Sequence, residues 1–454
     1  MTDSFKHQTE TFERFKDKQY AAILWEPGTG KTKLMIDILE HKFQQGEISA
    51  AIIVTTKSLM LNWANVELPK HATLEYNSYV WTRDKLKNFN HMYYFIINID
   101  ALITKAFIPT MREFIRMYPK YALVIDESTV VKSGKAKRTK MALKVAARAT
   151  CRFIMTGTPV TNSPLDLYSQ CEILKPNCLG YKSIYAFRGD FCILKTEFFG
   201  NRSFQVIKGY RNLDQLTNTL KSFSSIIKKE DCLDLPPQMY RTIEVPFTAE
   251  QKRVYDELRD KALVYIQSHE ITAVNAVSLI NRLLQICAGQ IKVAHEQYVS
   301  IPNNRLDTLK ELLEEAPRTI IWTSFVNTAT DIMKMLGKEA IHLSSGLNIT
   351  QRQEVLEHFR EGNVHLVANP ASSGHGITLT ESHNVIYYSN SWSYEHRAQS
   401  EFRTHRIGQM TSVLYTDLIA PNTVEGKVIQ LLKDKKDIAN MIITNNNIKE
   451  LLDA

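Results

Sequence analysis

The stretch Glu26-Pro27-Gly28-Thr29-Gly30-Lys31-Thr32 concentrates the residue types that handle phosphate. It lies between an apolar run, Tyr20–Trp25, and a stretch with helical periodicity at Leu34, Met35, Ile38 and Leu39. A glycine-rich turn between strand and helix aims backbone N–H groups and the helix N-terminus at phosphate oxygens, and side chains would block that approach. On this reading Pro27, Gly28, Thr29 and Gly30 form the cradle, Lys31 neutralises the β- and γ-phosphates, and the Thr32 hydroxyl holds Mg²⁺. The longest form of the pattern asks for glycine at position 25, where this chain has Trp25, so the match is to GxGKT. A purely structural turn is the competing reading. Further along, Asp126-Glu127 follows the apolar run Tyr121–Ile125. A carboxylate at the C-terminal end of a parallel strand sits where ligands bind in open α/β sheets. Asp126 would bind Mg²⁺ through water, and Glu127 would orient and polarise an attacking water. An Asp-Glu pair is ordinarily the start of a solvated loop. Its position on its own strand after a phosphate loop favours the catalytic reading.

Such residues need strand ends to carry them, and the apolar runs supply candidates. In the first half these are Tyr20–Trp25, Ala51–Thr55, Tyr94–Asn98, Tyr121–Ile125 and Arg152–Met155. In the second half they are Thr319–Thr323, Ala340–Leu343, Val364–Ala368, Asn384–Tyr388 and Ser412–Thr416. Fully apolar strands alternating with helical patterns mean parallel sheets covered on both faces, and the pattern occurs twice. The expected fold is α/β, with two tandem lobes. Leu235-Pro236-Pro237 marks a break, after which 249–291 reads as helical, with Tyr255, Leu258, Leu263, Ile266, Leu279, Leu283 and Ile286 at buried positions. The division expected is a first lobe over 1–234, a helical linker over 235–300 and a second lobe over 301–454.

Composition narrows the class. The chain has 454 residues, 44% hydrophobic and 23% charged, in the range of soluble globular proteins. Its net charge of +8 leans towards a polyanionic partner. No run reads as a membrane span or a signal peptide, so a cytoplasmic location is expected. The six cysteines form no CxxC pair and read as buried thiols in a reducing compartment.

Several further motifs are specific in combination. Phe5-Lys6-His7-Gln8 stands ahead of the phosphate loop. Thr55-Thr56-Lys57-Ser58-Leu59 is followed by Asn62-Trp63, and Asn98-Ile99-Asp100 by Asp126-Glu127-Ser128-Thr129. Met155-Thr156-Gly157-Thr158-Pro159-Val160-Thr161-Asn162-Ser163 comes next, where Ser163 can cap a helix with Pro164 at its first position and Asp166 at its third. The second half carries Trp322-Thr323-Ser324-Phe325, Ser372-Ser373-Gly374-His375-Gly376, Trp392, and Gln399-Ser400-Glu401-Phe402-Arg403-Thr404-His405-Arg406-Ile407-Gly408-Gln409. On a helix Arg403 and Arg406 would share a face. Together these motifs resemble the Snf2 family of superfamily-two helicases nearly end to end, and the segment 187–237 resembles the branch that includes annealing helicases. Thr129 departs from the family's DEAH form, in which a histidine links nucleotide state to the next motif.

The resemblance implies two RecA-like lobes that close on ATP and Mg²⁺. Gln8 would read the adenine edge, Gly376 and Gln399 would belong to the nucleotide pocket, and Arg403 and Arg406 would reach the γ-phosphate as arginine fingers. Thr56, Lys57, Ser58, Asn62, Trp63, Asn98, Asn162, Ser324, Ser372, Ser373 and Trp392 would meet nucleic acid. The cationic run Lys132, Lys135, Lys137, Arg138 and Lys140 would grip phosphates or form a solvated loop. The implied activity is an ATP-driven double-stranded DNA translocase that remodels branched DNA or protein–DNA complexes, as a monomeric engine. An RNA helicase, a non-hydrolysing nucleic-acid clamp and a partner-dependent remodeller are the alternatives. No long insert reads as a strand-separating wedge. The amphipathic stretch 428–452 is expected to pack on the second lobe.

Overall fold

The structure is a computed structural model, and it describes residues 4–57, 59–82, 86, 89–157, 163–199, 202–268, 273–292, 298–316, 318–373 and 377–434. It divides into two compact units, Met1–Asp234 and Leu235–Ala454. The first unit is built on seven strands: β1 (Tyr20–Trp25), β2 (Ala50–Thr55), β3 (Tyr76–Val80), β4 (Met92–Asn98), β5 (Tyr121–Asp126), β6 (Cys151–Met155) and, late in the unit, Ser224–Ile227. Between the last two stands a hairpin of β7 (Cys192–Phe199) and β8 (Arg202–Tyr210), which makes Ser224–Ile227 β9. The sheet order is β3-β4-β2-β5-β6-β1-β9, and every pairing is parallel.

Strand side chains alternate between faces with period two, and both faces of this sheet are covered. Ala22, Leu24, Ile52, Val54, Leu123 and Ile125 enter one core, and Ala21, Ile23, Trp25, Ile53 and Val124 enter the other. That double burial explains the unbroken apolar runs, and it leaves the C-terminal strand ends as the places where polar side chains emerge. Asp126 is the last residue of β5.

The second unit repeats the plan. Its strands are β10 (Gln238–Glu244), the small antiparallel pair β11 (Gln290–Lys292) and β12 (Tyr298–Ser300), then β13 (Ile320–Trp322), β14 (Ala340–Leu343), β15 (His365–Ala368), β16 (Asn384–Tyr387) and β17 (Val413–Ile419). The main sheet runs β10-β17-β16-β13-β15-β14, all parallel. Ile321, Val367 and Ile386 face one core, and Ile320, Trp322, Leu366 and Val385 the other. These are two tandem RecA-like lobes.

The structure differs from the expectation for 235–300. Directly after Pro237 the chain enters β10, which pairs with β17 over its whole length, so this segment is an edge strand of the second sheet. The helices Ala249–Ser268 and Ala273–Cys287 then pack with the helix Val424–Lys433 through Tyr255, Leu283, Ile286, Val424 and Val428. Of the positions expected to be buried here, Leu258, Leu263 and Leu279 are only partly so. No described helix is long and apolar enough to cross a membrane.

Candidate nucleotide site and nucleic-acid surfaces

The phosphate loop folds as its residues demand. Gly28 and Gly30 adopt φ of +88° and +86°, where L side chains are strained. A Cβ on Gly30 would also lie 2.2 Å from Gln8 Nε2. Gly30 forms the N-cap of the helix Lys31–Gln44, so its first-turn N–H groups open on the loop. Thr29 is fully buried, and its hydroxyl donates to the Glu26 carbonyl at 2.7 Å. Lys31 is buried and donates to the carbonyls of Trp25 at 2.8 Å and Glu26 at 3.3 Å. Those carbonyls keep the ammonium within the loop, where incoming phosphate can exchange with them. Thr32 stands half-buried at the second helical position. Trp25, at the position where a longer motif has glycine, is buried and donates its indole N–H to Ser225 Oγ at 2.8 Å on β9.

Gln8 is buried against this loop. Its Nε2 donates to the Gly30 carbonyl at 3.0 Å, and its Oε1 accepts from the Phe5 N–H at 2.8 Å. One N–H and one lone pair of the amide remain for a base edge. His7, which the motif reading passed over, bonds the Thr29 carbonyl at 2.9 Å and packs between the Phe5 and Trp25 rings.

Asp126 and Glu127 lie side by side at the end of β5. Asp126 Oδ2 accepts from Trp63 Nε1 at 2.8 Å and Thr55 Oγ1 at 3.3 Å. Burial, and then the neighbouring Glu127 charge, push the Asp126 carboxyl up to about 6, against the pull of the Trp63 bond, the Lys31 charge and the Thr55 bond. Both bonds end on one oxygen, which leaves Oδ1 to a cation, and a buried carboxylate beside a second carboxylate calls for positive charge. Glu127 has φ of +57°, a strained value for a residue with a side chain. The Thr156 hydroxyl, just after β6, donates to Glu127 Oε2 at 3.4 Å. Gly157 packs so tightly on the phosphate loop that a Cβ there would lie 2.4 Å from Pro27 Cδ. Thr129, which replaces the expected histidine, is buried.

Trp63 corrects one expectation. It is only 1% exposed and its indole is committed to Asp126, so it acts under the carboxylate and does not face nucleic acid. The local cause is Pro69. Proline has no N–H to give, and the helix from Met60 to His71 widens to a π turn over Trp63–Glu67, where the Leu68 N–H reaches back to the Trp63 carbonyl. Asn62 is half-buried and donates to Glu67 Oε1 at 3.0 Å. Lys57 is exposed and Thr56 half-buried at the end of β2. Asn98 accepts from the Asp100 N–H at 2.9 Å and so caps the short turn that follows it. Arg138 pairs with Asp100 at 3.5 Å, which fixes the cationic run 132–140 beside that turn. Ser163 accepts from the Leu165 N–H, but the helix starts at Asp166, so Pro164 lies ahead of it rather than at its first position. Ser58, Asn162 and Gly376 lie outside the described residues, as does 435–452 of the expected C-terminal amphipathic stretch.

In the second unit, Ser324 and Trp392 line one groove with Asn281, Asn369, Asn390 and His396. Asn369 Nδ2 donates to the Ser324 carbonyl at 2.9 Å. Ser372 and Ser373 belong to the short helix Pro370–Ser373 at the same end of β15. Gln399 and Arg403 are buried on the helix Tyr394–Thr404, with the Gln399 amide on Glu395 at 3.3 Å and Arg403 Nη1 on the Ile377 carbonyl at 3.5 Å. Arg406 is a further correction. The helix ends at Thr404, so Arg406 stands half-buried in the turn beyond it, and the two arginines do not share a helical face. The stop has a cause in Gly408 (φ +99°) and Gln409, whose two amide N–H groups are shared among the carbonyls of Thr380, Ser382 and Thr404 at 3.2–3.3 Å.

The sequence reading missed what holds that helix. Arg397, buried, is bidentate to Asp417, bonds Glu401 Oε1 at 2.6 Å and Asn390 Oδ1 at 2.8 Å, and stacks 3.6 Å over the Tyr387 ring. The available signal was Asp417. A carboxylate inside the apolar strand Val413–Ile419 must find a cation.

Residues 13–292 match the SNF2-related domain and residues 304–408 the helicase conserved C-terminal domain. The chain belongs to the SNF2-related helicase family. It is 26% identical over 442 residues to an uncharacterised ATP-dependent helicase of Mycoplasma genitalium, covering 95% of this chain and 41% of that one. It is 26% identical over 338 residues to the human DNA annealing helicase and endonuclease ZRANB3, covering 73% and 30%. Each of these relatives is more than twice as long as the segment matched. Among solved structures, the Sulfolobus solfataricus SWI2/SNF2 ATPase core in complex with dsDNA aligns with a TM-score of 0.45 at 21% identity, over 99% of this chain and 95% of that one. As a member of this family the chain is an ATP-hydrolysing enzyme of the ATP-dependent helicase type.

Proposed function

We propose that the chain is a translocase on double-stranded DNA that spends ATP to remodel branched DNA or protein–DNA complexes. The observation that carries this reading is the junction in the first unit: Glu127 is bonded to Thr156, and Gly157 is pressed on Pro27. The carboxylate placed to polarise water and the loop placed to cradle phosphate both touch the same turn, so hydrolysis is felt by backbone outside the nucleotide site.

Gly28 to Thr32 would bind the phosphates, and Lys31 would leave its carbonyl partners for them. Thr32 and Asp126 have the hard oxygen donors that suit Mg²⁺, which would supply charge neutralisation at the β- and γ-phosphates. Glu127 would hold and polarise water, and Gln8 would mark the base. Arg403 and Arg406 keep the role the resemblance implies, positive charge on the transferring phosphoryl group in the nucleotide-bound state. Lys57, Ser324 and the groove at Trp392 offer groups suited to backbone phosphates, and phosphate contacts carry no base sequence.

The test is ATP turnover with linear duplex DNA, single strands and RNA. Duplex DNA should stimulate most. Lys31→Ala should abolish turnover, and Arg406→Ala should nearly do so with nucleotide still bound. Equal or greater stimulation by RNA would replace the DNA reading, and a wild-type chain that binds but never hydrolyses would be a clamp.

A further inference from the structure

Reversible thiol oxidation needs a thiolate, access for the oxidant and a second thiol within reach. One pair in the first unit meets all three. Four of the six cysteines are buried, as expected from the sequence, but Cys178 and Cys232 are only half-buried. Cys171 sits in the last turn of the helix Asp166–Leu174. Pro176 cannot extend that helix, and Asn177, at φ +61°, turns the chain back on it. The Asn177 N–H donates to Glu172 Oε1 at 2.7 Å and the Cys178 N–H to the Lys175 carbonyl at 3.1 Å, which fix the turn. Cys178 thereby meets the end of the helix. Its Sγ donates to the Cys171 carbonyl at 3.2 Å, and the Cys171 thiol hydrogen-bonds the Cys178 sulfur. Lys175, Pro176 and Asn177, which lead into Cys178, are exposed.

The two sulfurs are chemically unequal. The bond from Cys171 holds the Cys178 thiol below its ordinary value, against burial and the Glu172 charge. The same bond, and then burial, push the Cys171 thiol up. Burial also pushes up Cys151, Cys192, Cys232 and Cys287. Of the six cysteines, all among the described residues, only Cys178 is shifted towards the thiolate, and it stands beside a thiol that can resolve it. The helix that carries Cys171 also touches the catalytic end of β5. Gln170 is fully buried, and its Oε1 accepts from Ser128 Oγ at 2.6 Å, one residue beyond Glu127.

We infer that Cys178 and Cys171 form a site of reversible oxidation, closed to a disulfide by a hydroperoxide, and that closure slows ATP turnover through Gln170 and Ser128. The Cys178 thiolate attacks the peroxide, so an S–O bond forms, the O–O bond breaks and the departing oxygen takes up a proton. Cys171 then gives up its proton and attacks the Cys178 sulfenic acid. An S–S bond forms, the S–O bond breaks and water leaves. The two thiols lose two electrons and two protons, and hydrogen peroxide is reduced to two waters. A covalent bond brings the sulfurs to ~2.0 Å, which draws the last turn of the helix towards the Cys178 turn. In a reducing compartment such a pair rests as thiols and closes only under oxidant.

The test treats the full chain with hydrogen peroxide, alkylates the remaining thiols and reads tryptic peptides by mass. Both cysteines fall in one peptide, because Lys175 precedes proline. The wild-type peptide should become two hydrogens lighter and escape alkylation. ATP turnover should fall about fivefold or more, since a ~1 Å displacement at a reacting group can cost on the order of 10²-fold, and dithiothreitol should restore it. Cys178→Ser should keep the turnover of the reduced protein and ignore peroxide, whereas Cys232→Ser should respond like wild type. Cys171→Ser should stop at a sulfenic acid on Cys178 that dimedone labels. A wild-type peptide that keeps both thiols under peroxide would overturn the inference. So would closure with turnover unchanged, a disulfide to another cysteine, or inhibition that persists in Cys178→Ser. The disulfide is read by mass whichever nucleic acid stimulates turnover, so failure of the duplex DNA reading would leave this test standing.

Discussion

Replacing Trp63 by phenylalanine separates two physical accounts of one residue. The indole N–H donates to Asp126 Oδ2 at 2.8 Å in a site closed to solvent, and among the described residues only Thr55, at 3.3 Å, also bonds that oxygen. A hydrogen bond to a charged group contributes ~1.5–3 kcal/mol, and losing the donor leaves a buried carboxylate underpaired. The smaller ring adds a cavity in the core shared with Ile53 and Val124, about 1 kcal/mol more. Trp63→Phe should therefore lower unfolding free energy by about 3 kcal/mol, a fall of ~1 M or more in the urea midpoint of the first unit. It should also raise the Mg²⁺ concentration needed for half-maximal ATP turnover, since Asp126 loses the bond that fixes its rotamer. Duplex DNA affinity without nucleotide should not change. If Trp63→Phe instead weakened DNA binding tenfold and left unfolding and the Mg²⁺ requirement as they were, the residue would belong to the DNA surface and its support of Asp126 would be refuted.

Gly157→Ala should cut ATP turnover more than tenfold, because its Cβ would meet the rigid Pro27 ring at 2.4 and 2.7 Å; Gly189→Ala, with nothing within 4 Å, is the matched control and should turn over ATP normally. Asp417→Ala strands the buried Arg397 and should destabilise the second unit by ~3–5 kcal/mol in urea unfolding, with Arg397→Met/Asp417→Leu recovering most of it. His365 gives a pH signature. Burial holds its imidazole below the ordinary value, the Glu339 charge pulling only partly the other way, and its Nδ1 accepts from the Thr319 N–H at 3.2 Å. The unfolded chain takes up that proton first as pH falls through ~6.5, so stability declines from there down to the folded-state value, and His365→Asn should flatten the slope.

Legibility followed burial. Most strands read correctly were buried on both faces, such as β2 and β5, which are apolar up to their last residue, although the half-buried edge strand β14 was read as well. The strands missed lie at edges or outside the main sheets. β3 reads Tyr-Asn-Ser-Tyr-Val and β10 Gln-Met-Tyr-Arg-Thr-Ile-Glu, because a sheet edge tolerates polar residues that a central strand excludes. The phosphate loop was legible because its chemistry is local: glycine conformation, helix start and lysine fall within seven residues. Trp63 was not, because its destination depends on a π turn set by a proline six residues later. The end of the arginine-bearing helix was hidden in a different way. Arg403 and Arg406 have helical spacing, but the stop is enforced by Gln409, whose two amide N–H groups are shared among three carbonyls brought together only by the fold.

The departure at Thr129 can be resolved in the same physical terms. A histidine in that place would carry nucleotide state to the turn after β6 through its ring nitrogens. In this chain Thr129 is short and buried, and its carbonyl accepts the Lys132 N–H. Two other contacts span the gap. Thr156 reaches Glu127 by its hydroxyl, and its own N–H is held by the Ile23 carbonyl on β1, the strand that leads into the phosphate loop. Gly157 closes the circuit against Pro27. Any shift of the phosphate loop then moves Gly157 by steric contact and Glu127 by the Thr156 bond. Thr156→Val, which keeps the shape and removes only the hydroxyl, should slow ATP turnover and leave nucleotide affinity unchanged. A variant with normal turnover would mean that the contact between Gly157 and Pro27 carries the coupling alone.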